Sequence, residues 1–96
     1  MKVVNYLDKE TVRIFTNIAL DNKLCLQLIV GGQSISGKPF DEDAPGDVKD
    51  LSKQIDPNKE MIVYDVIVNY TKTNYSQFKF FVVDFSSIQG LSITDR

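Results

Sequence analysis

A chain of 96 residues, 43% hydrophobic and 25% charged, has the composition of one ordinary globular domain, read here as residues 1–96. Eleven basic against thirteen acidic residues leave a net charge of -2, and the basic residues are scattered, so the stripe that binds nucleic-acid phosphates is missing. Histidine is absent, which removes the commonest proton-transfer side chain near neutral pH, the commonest zinc ligand, and every Ser-His-Asp or Cys-His pairing.

The first segment, Lys9 to Leu20, fits two periods. As a helix it places Val12, Ile14, Phe15, Ile18 and Ala19 on one broad face, with Leu20 breaking the pattern, Asp8 as N-cap and Asp21-Asn22 as the exit. As a strand it places Val12, Ile14, Ile18 and Leu20 together, in keeping with its β-branched content. The helix is preferred and the strand kept as the alternative. From Leu24 to Val30 apolar residues alternate over two largely apolar faces, which predicts a central strand. Gly31-Gly32 then permits positive φ for a tight hairpin into a shorter strand, Gln33 to Gly37, which Gly37-Lys38-Pro39 ends or bends.

Asp41 to Gly46 reads as an acidic loop punctuated by Pro45 and Gly46. A short helix is predicted over Asp47 to Ile55, with Val48, Leu51 and Ile55 on one face, Asp47 as N-cap and Pro57 as the stop. Met61 to Tyr70 predicts a strand with Ile62, Tyr64, Val66, Val68 and Tyr70 on one side. Thr71 to Gln77 is a polar turn, and Phe78 to Phe85 the partner strand, whose apolar residues change face between Phe80 and Phe81, as at a bulge or strong coil. Ser86 to Gly90 turns the chain, and Leu91-Ser92-Ile93 closes the sheet.

This order predicts an α+β domain: a small curved antiparallel sheet, or a partly open barrel of the Sm or SH3-like kind, with about five strands, an N-terminal helix and one inserted short helix that caps an opening. If Lys9 to Leu20 is a strand, the sheet has six strands with one helix on it. Cys25 has no partner for an intramolecular disulfide and sits in an apolar run as an inert packing residue. A lone cysteine, and an N-terminus MKVVNYLDKE without the apolar core of a signal peptide, lead to an expectation of a reducing cytoplasm. No membrane span is expected, since no stretch reaches about 18 apolar residues.

Leu26-Gln27-Leu28-Ile29-Val30-Gly31-Gly32-Gln33-Ser34-Ile35-Ser36-Gly37, preceded by an amphipathic segment, resembles the V-x-G-x-x-I-S-G signature of the gas-vesicle accessory protein U family. The stretch Phe80 to Ser92 is similar to that family's closing strand. The two patches cover about a quarter of the chain. The resemblance implies a non-enzymatic accessory protein that self-associates or touches a large protein assembly.

The acidic cluster Asp41, Glu42, Asp43 and Asp47 lacks the spacing of a calcium loop and is read as solvated, with no metal or other cofactor expected. Gly32, Gly37 and Lys38 match G-x-x-x-x-G-K, yet Pro39 stands where a P-loop needs a hydroxyl and no helix follows. Scattered carboxylates without a recognisable raised-pKa pair give no enzyme. Tyr70, Tyr75, Phe78 and Phe81 exceed what so thin a domain can bury, and exposed aromatics favour protein interfaces. The expectation is therefore a cytoplasmic protein-binding or assembly module, able to form a homo-oligomer by edge pairing at Leu91-Ser92-Ile93. The alternative is a small acidic inhibitor or immunity protein of a mobile element, whose Asp41, Glu42, Asp43 and Asp47 meet a basic target.

Overall fold

The computed structural model describes residues 8–69 and 73–95. Lys9–Asp21 forms helix α1, so the helical reading of the first segment is the right one. Its N-cap is Asp8, whose Oδ1 accepts the Thr11 amide at 2.8 Å and satisfies one of the orphan donors of the first turn. The packed stripe is narrower than the sequence suggests and is rotated from it. Val12 and Ala19 are buried, Phe15 packs on the core, and Thr16 and Leu20 lie half-buried beside them, whereas Ile14 and Ile18 are 56% and 43% exposed. The exit also differs: Asn22 keeps a negative φ while Lys23 takes φ +54, which lets the Leu24 amide reach back to the Ala19 carbonyl at 2.8 Å.

Strands β1 (Cys25–Val30) and β2 (Gln33–Pro39) form the expected hairpin. Gly31 and Gly32 both have positive φ, +58 and +77, the requirement of a two-residue turn whose twist matches that of the strands. Strand β2 runs past Gly37 to Pro39, which is buried and aligned with Val63. Helix α2 spans Gly46–Ser52, starting one residue earlier and ending three residues sooner than expected: Pro45 occupies the N-cap without a side-chain bond, Asp47 sits in the first turn, and the helix ends before Pro57 can stop it. Strands β3 (Glu60–Asn69) and β4 (Tyr75–Asp84) pair antiparallel, a single 3-10 turn, η1 (Phe85–Ser87), follows, and β5 (Ile88–Thr94) returns beside β1.

The sheet order is β4-β3-β2-β1-β5, with every pairing antiparallel, so the domain is α+β, with two α-helices and five strands among the described residues. β4 and β5 lie at opposite ends of that order although only η1 separates them in the chain. In a flat sheet the outer strands would stand about 19 Å apart at roughly 4.8 Å per gap. Four chain steps from Asp84 to Ile88 span at most about 14 Å. The sheet must therefore curl, bringing its two edges towards each other without pairing them among the described residues.

The concave side holds the main core: Leu26 and Leu28 of β1, Ile35 of β2, Met61, Val63, Val66 and Val68 of β3, Val83 and Ile88, closed by Val12 and Ala19 of α1. On the convex side Ile62 and Tyr64 pack with Ala44 and Val48, flanked by Phe40, Leu51, Ile55 and Phe80. Helix α2 thus covers the outside of the sheet and does not cap an opening.

Strand β3 changes face at Asp65, which has φ +53 and supplies the extra residue in the register shift against Ser36 and Lys38. Ile62 and Tyr64 face α2 before the bulge, Val66 and Val68 face the main core after it, and the expected single row of five does not exist. Strand β4 follows in step. The Phe78 ring lies 4.9 Å from that of Phe81, on the concave side, while Phe80 faces α2. The change of face therefore falls at Lys79, opposite Asp65, rather than between Phe80 and Phe81.

Candidate interaction edge

Strand β4 is the long edge of the sheet: ten residues bonded to β3 on one side and to no strand on the other among the described residues. Tyr75, Phe78 and Val82 are 57%, 42% and 38% exposed, so three of the five large apolar residues that stand clear of the core among the described residues lie along this one strand. The other two are Ile14 and Ile18 of α1. Edge strands are ordinarily protected by charge, proline or brevity. β4 contains no proline and two charged residues, Lys79 and Asp84.

Both charges are already engaged. Lys79 Nζ pairs with Asp47 of α2, and this bond, before the Coulomb attraction, holds the Asp47 carboxyl below its ordinary value. Asp84 accepts from the Ser86 amide at 3.0 Å and the Ser86 hydroxyl at 2.9 Å, capping η1, which lowers its pKa in the same sense. The other edge, β5, carries no charged residue from Ile88 to Thr94, and a bulge at Gln89 lets that side chain accept the Gly32 amide at 3.0 Å.

The aromatic candidates separate accordingly. Tyr75 and Phe78 stand exposed, Phe81 is half-buried against the main core, and Tyr70 lies outside the described residues. Val82 belongs to the exposed set and was missed from sequence. The change of face at Lys79 leaves Phe78 on the concave side, opposite Val66, and Val82 on the convex side, opposite Ile62, and the pattern of one strand alone does not reveal where the partner strand bulges.

The acidic residues do not form one surface. Asp41 is half-buried and accepts the Tyr64 hydroxyl at 2.7 Å and the Asp43 amide at 3.0 Å, while Asp47 is tied to β4. Glu42 and Asp43 point to solvent. Among the described residues no group of three or more Cys, Asp or Glu side chains converges on a possible metal position.

Two clefts flank the helices. One, about 400 Å³, lies between α1 and α2 over Phe40, Ile55, Met61 and Phe85 with Arg13 and Asn17 at its rim. The other, about 620 Å³, is lined by Lys23, Cys25, Lys38, Asp41 and Tyr64 among others. In it Lys38 lies 3.4 Å from Asp65 and 5.9 Å from the centre of the Tyr64 ring, so its cation is held by the bulge beside it. The Cys25 thiol is buried at its wall. Gly32 to Pro39, the stretch with the phosphate-loop spacing, is a turn glycine followed by strand β2, which leads into a loop.

No helix of the described residues is long and apolar enough to cross a membrane. No family model, curated protein or solved structure matches the chain.

Proposed function

We propose that this chain is a non-enzymatic, cytoplasmic protein-binding module whose contact surface is the outer edge of β4. The observation that carries the reading is the concentration of Tyr75, Phe78 and Val82 on an unpaired strand whose charges are satisfied within the chain. An unpaired strand offers a row of amide and carbonyl groups to another chain, and the apolar side chains beside it supply affinity once water is excluded. The resemblance to the gas-vesicle accessory protein U family agrees with this class of function. An acidic surface for a basic target is less well supported, because Asp41 and Asp47 are turned to partners inside the domain.

The test is affinity purification of the tagged chain from its host, in parallel with a Tyr75→Lys/Val82→Lys variant that remains folded by circular dichroism. The expected result is a recovered protein, foreign or a second copy, that the variant loses. Recovery that is unchanged in the variant overturns β4 as the contact.

A further inference from the structure

We propose that the cleft between α1 and α2 is a binding site for a small monocarboxylate with an apolar body, a site separate from β4 and independent of the reading given to that strand. The cleft opens at the start of β3, where the two apolar clusters of the domain meet: Val12, Met61 and Phe85 come from the main core, and Phe40, Ile55 and Ile62 from the cluster beneath α2. Its volume of about 400 Å³ lies in the range of small-molecule sites, and a floor of this kind takes up the apolar part of a ligand.

The polar groups around the floor select the other end of that ligand. The Thr16 hydroxyl donates to the Val12 carbonyl at 2.7 Å and the Ser52 hydroxyl to the Lys49 carbonyl at 2.6 Å, so both donors are spent. Arg13 and Asn17 differ. They stand one turn apart on α1 and both line the cleft. Among the described residues neither side chain makes a hydrogen bond within the chain, and the one charged contact of Arg13 is the exposed Glu10, at 3.7 Å. A guanidinium and a carboxamide at i and i+4 offer N–H donors to one acceptor, and a carboxylate, with two oxygens, answers both. Glu60 also lines the cleft, with one oxygen accepting the Asp56 amide at 3.2 Å. Its charge tolerates one anionic group beside Arg13 and opposes a second, which makes the ligand a monoanion.

The experiment labels the methionine methyl groups with carbon-13 and follows Met61, assigned with Met61→Leu, by nuclear magnetic resonance. Straight-chain acids from butanoate to decanoate are added below their micelle concentrations. The expected result is a saturable shift of the Met61 signal, with affinity rising about fourfold per methylene until the cleft is full, the transfer free energy of one buried CH₂. The 1-alkanol and the dicarboxylate of equal length should bind about tenfold more weakly or worse. Arg13→Gln should bring the acid down to the level of the alcohol, and Asn17→Trp, at an exposed helix position, should fill the mouth and abolish the shift. No saturable shift with decanoate overturns the site, as does an unchanged shift in Asn17→Trp. Equal binding of acid and alcohol, or of the acid to Arg13→Gln, overturns the carboxylate as its ligand. Binding of an N-acetylated tripeptide ending in leucine, without binding of any free acid, overturns the small molecule in favour of a protein C-terminus.

Discussion

The Tyr64 hydroxyl donates a 2.7 Å hydrogen bond to Asp41 Oδ1, joining the bulged strand β3 to the start of the acidic loop. Tyr64 is buried, and one oxygen of Asp41 also accepts the Asp43 amide, so a single carboxylate closes the loop and anchors it to the convex face. Tyr64→Phe keeps the ring in its packing with Val48 and Ile62 while deleting that anchor. The expected cost is about 1.5–3 kcal/mol in urea unfolding, the scale of a hydrogen bond to a charged acceptor, with little change in the slope of the transition.

The same bond sets an alkaline limit. Burial, and then the Asp41 carboxylate, raise the Tyr64 pKa well above its ordinary 10.0, with Asp43 and Asp65 adding to the effect. A raised acid contributes stability that is complete below the unfolded value and is lost as pH rises through the folded one. Ultraviolet titration should therefore show a high-pH phenolate step that is missing in Tyr64→Phe, coincident with unfolding of the native chain. Ionisation of all tyrosines in one step would contradict this.

Lys23 holds φ +54 at the end of α1, a conformation that crowds any Cβ. Glycine removes the crowding and preserves the bond from the Leu24 amide to Ala19. Lys23→Gly should raise stability by about 0.5–1 kcal/mol, the helix-end gain less the entropy a glycine adds to the unfolded chain. Lys23→Ala is the control, since it removes the same side chain and keeps the Cβ. Equal midpoints for the two variants would show that the charge, and not the backbone, sets the effect.

The hairpin of β1 and β2, α1 with its Asp8 cap, and the α+β class were legible because each is written locally. Two glycines between alternating apolar runs permit one kind of turn, and an Asp before an apolar stripe caps a helix. The bulge at Asp65 was not legible, and most of the misplaced faces follow from it. Nothing in Val63-Tyr64-Asp65-Val66 breaks a strand pattern. The extra residue is needed because the sheet must curl for η1 to join its two edges, and that demand comes from sequence positions 20 residues apart and more. The exposed set on β4 was half legible for the same reason: Tyr75 and Phe78 were named as aromatic excess, whereas Val82 emerges only once the strand's change of face is placed. Ile14 and Ile18 show the converse, since helical periodicity located an apolar face wider than the one α1 buries.

Acid should loosen three termini together. Asp8 at α1, Asp47 in α2 and Asp84 at η1 each have a carboxyl held below the ordinary 3.8. The first cause is the Thr11 amide for Asp8, the Lys79 ammonium for Asp47 and the Ser86 amide for Asp84. A lowered acid contributes stability that is present above the unfolded value and is lost as pH falls through the folded one. The unfolding midpoint in urea should therefore fall as pH drops below about 4, with Asp8→Asn and Asp84→Asn each flattening part of that dependence. An unchanged profile in both variants would remove the caps as its source.

Gly37 is the position at which the curl of the sheet becomes a sequence requirement. It lies in β2 between the two halves of the register shift, aligned with Leu26 across the hairpin and facing the bulge of β3. A Cβ there would stand 3.1 Å from Val63 Cβ, 3.2 Å from Val66 Cγ2 and 3.3 Å from the Tyr64 carbonyl oxygen. Val63 and Val66 are 0% and 1% exposed, so neither has room to retreat, and the third contact is backbone. Gly37→Ala should therefore destabilise the domain by about 1–3 kcal/mol, the range of an overpacked core. The double variant Gly37→Ala/Val66→Ala makes space beside the new methyl and should recover part of that loss relative to Val66→Ala alone. A native midpoint in Gly37→Ala would mean that β2 and β3 lie farther apart at the bulge, and the sheet less sharply curled, than the path through η1 requires.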